Sequence, residues 1–187
     1  MPEPGTEIEG PTHTLRLIKT ADETGGELLE MEATYNGTGG MPPEHFHPSQ
    51  AEHFEVHEGA IVAIIDGAER RYEAGESFDV PIGTNHQMTS DGPARVIWQV
   101  RPALRTAEFF ERLYGEEPDS ARELGAAFLE EFSDEVRSSA GDGYPPAPLS
   151  PGTWGGLVAP RLHEERPRPT YLLQPALAPT LCPLDGR

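Results

Sequence analysis

The sequence predicts an all-β domain, read as a sandwich, barrel or jelly roll, over residues 13–102. Two stretches, ELLEMEATY (27–35) and AEHFEVHEG (51–59), alternate with the period of two that a half-buried strand requires. About eight to ten short stretches of strand character follow one another between Gly, Pro and Asp turns. After Pro102 the apolar spacing changes to that of a helix, which places the end of the β-domain there.

Taken in order, residues 1–12 carry three prolines and two glycines without periodicity and are expected to be a flexible arm. HTLRLIKT (13–20) is the first expected strand, and ADETGG the turn after it. In 27–35, Leu29, Met31, Ala33 and Tyr35 share one face. NGTGG breaks that strand. In 51–59, Glu52, Phe54 and Val56 share a face, and His53, Glu55 and His57 the opposite one. AIVAIID (60–66) and AERRY (68–72) flank Asp66-Gly67, a strong hairpin signal. SFDVP, HQMTS (86–90) and ARVIWQVRP (94–102) complete the strands.

A helical appendage is expected over residues 103–139. LRTAEFFERLYG (104–115) and SARELGAAFLEEFSDEVRS (120–138) are amphipathic, the second opening on a Ser120-x-x-Glu123 capping box. Leu124, Phe128, Phe132 and Val136 form one stripe that needs a partner surface, either the outside of the barrel or a neighbouring subunit. Residues 140–187 hold half of the chain's 20 prolines and are expected to be an extended tail.

Bulk composition narrows the function classes. A net charge of −18, from 32 acidic and 14 basic residues, repels phosphate backbones and anionic lipid, so neither nucleic acid nor membrane is an expected partner. The single cysteine, Cys182, rules out an internal disulfide framework and a thiolate cluster. The first residues lack a basic segment followed by an apolar one, and no apolar run reaches the ~20 residues of a membrane span. A cytoplasmic protein is the expectation.

Chemistry is concentrated in GGMPPEHFHPSQAEHFEVHEG (39–59). His45 and His47 are two apart, so on an extended segment both rings face one side. Four residues further, enough for a turn, Glu52 can return alongside them. His86 opens a later strand after a Pro-x-Gly loop and can arrive from the neighbouring strand. Three imidazoles and a carboxylate form a borderline nitrogen–oxygen set that suits one divalent transition metal per chain: Fe, Mn, Ni, Zn, Co or Cu.

The spacing Gly39-x5-His45-x-His47-x4-Glu52-x6-Gly59 resembles the first motif of the cupin superfamily at every defined position. Gly75-x5-Pro81-x-Gly83-x2-His86 resembles the second, which commonly ends in Asn where this chain has Ser90. The 15 residues from Ala60 to Ala74 match the gap of short single-domain cupins. RPALRTAEFFERLYG is similar to the segment after the barrel in some bacterial ones. The resemblance implies a double-stranded β-helix, or jelly roll, with His45, His47, Glu52 and His86 as metal ligands and Glu52 as the residue closest to catalysis. It also implies a small-molecule substrate in the barrel and a homodimer. Comparable sites support dioxygenation, isomerisation, decarboxylation and cyclisation. The four-ligand set leans slightly to an oxygenase; a redox-neutral isomerase, lyase or cyclase and a non-catalytic binding module are the alternatives.

Several other residues admit two readings. Phe54, Val56, Met88 and Trp98 either line a substrate pocket or pack the barrel, and no parity argument places Trp98. Glu44 and Gln50 either work at the barrel mouth or are exposed loop residues. Arg70-Arg71 either receives an anion or is a surface pair. His53 and His57 are expected to face solvent, as are His13 and His163.

Overall fold

A computed structural model describes residues 2–115 and 126–139. Two antiparallel sheets enclose one core. The first sheet has the order β1 (Glu7–Glu9), β2 (His13–Lys19), β3 (Leu29–Asn36), β10 (Pro93–Arg101), β5 (Ala51–Glu58), β8 (Ser77–Val80). The second has β11 (Arg137–Ser138), β4 (His45–Phe46), β9 (His86–Ser90), β6 (Ala60–Ile65), β7 (Ala68–Glu73). This is the jelly roll the sequence predicts. Among the described residues three helices accompany it: α1 (Ala21–Thr24), α2 (Thr106–Gly115) and α3 (Ala126–Glu131). Among the described residues no helix is long and apolar enough to cross a membrane.

Alternation decides which side chains enter the core. Leu29, Met31, Ala33 and Tyr35 of β3 are buried, as are Glu52, Phe54 and Val56 of β5. Leu15, Leu17, Ile61, Ala63, Val96 and Val100 close the same cluster from the neighbouring strands. Trp98, which parity left open, lies opposite both Met31 and Phe54 in register, so its indole turns inward. Asp66 and Gly67 both take positive φ, +47° and +77°, as a two-residue type I′ hairpin turn requires. Gly59 has φ +70°, and a β-carbon there would run into the backbone of Pro93 and Ala94. Any side chain at that position would force β5 and β10 apart.

Four expectations are corrected. Part of the flexible arm is a strand: Ile8 is buried between exposed Glu7 and Glu9, and β1 pairs with β2. Three residues are too few for alternation to announce a strand. The helix expected to run to residue 138 ends at Glu131, and β11 follows; pairing with β4 supplies the backbone partners that override the helical pattern. Its Phe128 and Phe132 pack against Phe109 and Leu113 of α2, so the stripe finds its surface within the chain. His13 is not a surface residue. Its ring lies between Tyr35 at 5.0 Å and Tyr114 at 5.6 Å, with Nε2 buried and without a hydrogen-bond partner.

The fourth correction is Gln50, which is fully buried. Its Nε2 donates to the carbonyls of Pro102 and Ala103 and to the Thr106 hydroxyl, at 2.8, 3.2 and 2.7 Å. It ties the start of β5 to the first turn of α2. Gln50→Ala would strand these acceptors away from water, and the expected cost is about 1–3 kcal/mol, read as a lower urea midpoint at unchanged slope. The Ser120 capping box, Leu124, His163, Cys182 and the Pro-rich tail lie outside the described residues.

Candidate metal centre

Three strands, with the residue just past the end of β4, deliver the four residues that spacing singled out. β4 and β9 pair with His45 directly opposite His86, and His47 follows two residues beyond His45. β5 brings Glu52 from the other sheet. The imidazole centroids lie 4.3 Å (His45–His86), 5.1 Å (His47–His86) and 5.2 Å (His45–His47) apart. One ring nitrogen from each of the three sits within 4.8 Å of the other two.

The hydrogen bonds of the opposite ring atoms fix which nitrogen that is. His45 Nδ1 donates to the Pro43 carbonyl and His86 Nδ1 to the Thr84 carbonyl, each at 3.0 Å, and His47 Nδ1 donates to the Glu135 carbonyl. A carbonyl only accepts, so each Nδ1 carries the proton and each neutral ring presents the Nε2 lone pair. Backbone acceptors behind the ring are the usual way a metal-ligating histidine is held in its tautomer.

Glu52 is 3% exposed, and its two oxygens face these nitrogens. Oε1 lies 3.2 Å from His47 Nε2, and Oε2 lies 3.1 Å from His86 Nε2. His47 Nε2 and Glu52 Oε2 are nonetheless buried without a properly directed hydrogen bond. Lone pairs of neutral imidazoles and a carboxylate at such distances repel unless positive charge lies among them. A metal with ligands at about 2.1 Å and right angles holds neighbouring ligand atoms about 3.0 Å apart, so the spacing fits a shared cation. The three histidines can therefore hold a metal, with Glu52 placed to join them.

Protons on the imidazoles are the other source of such positive charge. Burial pushes the Glu52 carboxyl up, but hydrogen bonding and charge from His47 and His86 outweigh it and hold the carboxyl well below its usual range. Burial, with the charges of His86 and His47, lowers His45 to about 4. For His47, burial works downward, and the Glu52 carboxylate overcomes it and raises the imidazole.

One partner of the centre was not legible in the sequence. Trp98 Nε1 donates to Glu52 Oε1 at 3.0 Å, which anchors the carboxylate from β10. Its register opposite Phe54 is the signal that would have found it. Phe54 is 1% exposed and stacked on Phe78, and Val56 is equally buried, so both pack the barrel. Met88 and Trp98 are only half-buried, and Met88 shares the face of His86 on β9. Glu44 is half-buried. His53 is tied to Asp79 at 2.7 Å on the outer face, and His57 is exposed there. Arg70 and Arg71 are exposed and paired with Glu76, Glu73 and Asp91.

A family model described as a cupin domain matches residues 32–100. The chain is 32% identical over 95 residues to the tetracenomycin polyketide synthase protein TcmJ of Streptomyces glaucescens, covering 50% of this chain and 62% of that protein. The match thus spans less than two thirds of that relative's length. Among solved structures, ectoine synthase from P. lautus superposes with TM-score 0.50 at 14% identity, covering 57% of this chain and 75% of that one. An RmlC-like cupin from Shewanella frigidimarina gives 0.49 at 20% identity, covering 57% and 92%. At 14% identity the ectoine synthase match speaks to the fold alone.

Proposed function

The chain carries a cupin-superfamily domain, and from that premise we propose that it is a metal-dependent enzyme acting on a small, oxygen-bearing organic molecule inside the barrel. The observation that supports this reading is the convergence of three histidine ring nitrogens within 4.8 Å of one another, with the buried Glu52 carboxylate 3.2 and 3.1 Å from two of them. When bound, a divalent metal there supplies a Lewis acid for a carbonyl or enol oxygen, or a site for O₂.

The chain's own residues divide the remaining work. His45, His47 and His86 hold the ion as neutral ligands, each kept in that tautomer by a backbone carbonyl. Glu52 contributes negative charge, and the indole N–H of Trp98 keeps its carboxylate from turning away. Met88 and the indole ring offer an apolar wall beside the ligands. Such a wall suits the carbon skeleton of a substrate whose oxygens face the metal.

The 32% identity to a polyketide synthase protein favours a polyketide-like substrate, with alternating carbonyl and methylene groups, and a redox-neutral cyclisation or isomerisation. Oxygenation is the second reading, supported by the donor set. One experiment separates them. Untagged protein loaded with Fe(II), Co(II) or Zn(II) is incubated with short poly-β-carbonyl compounds while O₂ uptake and product mass are followed. The expected product has the substrate's mass, or that mass less water, without O₂ consumption. Stoichiometric O₂ uptake would move the assignment to an oxygenase. Tight binding without turnover under every metal would leave a binding module and sink the enzyme reading.

A further inference from the structure

We infer that residues 126–139 form a strap that completes the metal centre, positioning His47 through the Glu135 carbonyl, so that strap docking and metal loading favour each other. The inference rests on the metal-binding reading of the three histidines.

The acceptors behind the rings are not equivalent. Those of His45 and His86 are local, each two residues earlier in the chain. The acceptor behind His47 lies 88 residues away. Two ligands therefore keep their tautomer wherever the barrel folds, whereas the third depends on a tertiary contact. Without Glu135 in place, His47 loses the partner that holds the proton on Nδ1, and a ring protonated on Nε2 cannot ligate there.

The carbonyl is itself held on several sides. The Glu135 side chain is buried, and its Oε1 accepts the Arg105 N–H at 3.0 Å. The Glu135 N–H donates to the Phe132 carbonyl at 3.0 Å. Phe128 and Phe132 pack on Phe109, and the Arg105 guanidinium lies 4.6 Å above the Phe132 ring. Arg105 and Arg112 both pair with Glu131.

Past Glu135, the strap touches neighbours of every histidine ligand. Arg137 and Ser138 pair with Phe46 and His45. The Ser139 N–H donates to the Glu44 carbonyl at 3.2 Å, and its hydroxyl donates to Asn85 Oδ1 at 2.8 Å, beside His86. Any docking free energy that the ligand geometry depends on must appear in metal affinity, and reciprocally in strap stability.

The test uses the full chain with two substitutions. Phe132→Ala removes the apolar anchor. Arg137→Pro, at an exposed position, breaks the β4 pairing without touching the core. Zn(II) affinity, measured by chelator competition, is expected to fall about 10-fold in each, the size of effect typical when the support of a metal ligand is lost. By linkage, Zn(II) is expected to slow amide exchange at Val136–Ser139 in the wild type, and His45→Ala to abolish that slowing. Affinity unchanged within about twofold in a variant whose barrel melts like the wild type would overturn the inference. If the wild type takes up no Zn(II), the metal reading fails instead. Nitrogen NMR of His47, at a pH where the ring is neutral, then decides the strap alone. Loss of the Nδ1–H tautomer in both variants supports positioning by Glu135, and an unchanged tautomer refutes it.

Discussion

His86→Ala is expected to lower Zn(II) affinity by at least about 100-fold, leaving the purified protein close to metal-free. Removing a residue that merely supports a ligand costs about 10–100-fold, and His86 presents its Nε2 to the centre itself. It is 4% exposed and held from behind by the Thr84 carbonyl, so no neighbouring side chain can swing in to replace it without rebuilding β9. The control is His57→Ala on the exposed outer face of β5, for which wild-type metal content is expected. Metal analysis of untagged protein checks both. Equal losses from the two variants would mean that the metal sits elsewhere.

Folding stability is expected to fall by up to about 3.4 kcal/mol through His13 as pH drops from about 6.5 to 4. Burial lowers the His13 imidazole from 6.5 to about 4, and each unit of difference corresponds to about 1.36 kcal/mol. The sign follows from proton counts. Between these values the unfolded chain binds a proton at His13 and the native chain does not, so acid favours unfolding. The contribution is complete above pH 6.5 and lost as pH falls through the native value. Its structural cause is the packing of the ring between Tyr35 and Tyr114, with Nε2 sealed from solvent. Tyr114 belongs to α2, so charging His13 is expected to loosen that helix from β2 first. His13→Phe keeps a ring between the tyrosines and should flatten the slope of unfolding free energy against pH over this window, measured by urea titration. A slope identical to wild type would remove His13 from the acid response.

Much of the architecture was legible because strands repeat every two residues. The face carrying Glu52, Phe54 and Val56 followed from alternation alone, and β9 begins and ends at the residues the pattern indicated. The Asp66-Gly67 turn was equally plain, since few residue pairs tolerate two positive φ angles. β1, β4 and β11, with two or three residues each, are too short to show a period. Gln50 and His13 looked like surface residues because polar side chains mostly are. Gln50 is buried and His13 half-buried with its Nε2 sealed, because particular partners from distant segments enclose them.

The same division runs through the candidate metal centre. The sequence by itself pointed to His45, His47, Glu52 and His86 as candidate donors, because residues two apart on an extended segment share a side and the motif spacings set the reach of the other two. It also determined the glycine turns that let those strands approach. Only the tertiary structure decided the proton position on His47, the indole that holds Glu52, and the strap that stands behind His47. Those depend on the carbonyl or ring that meets each side chain across 46 and 88 residues of chain. No local preference encodes such meetings, because they are set by sheet register and by the packing of Phe128 and Phe132 on α2.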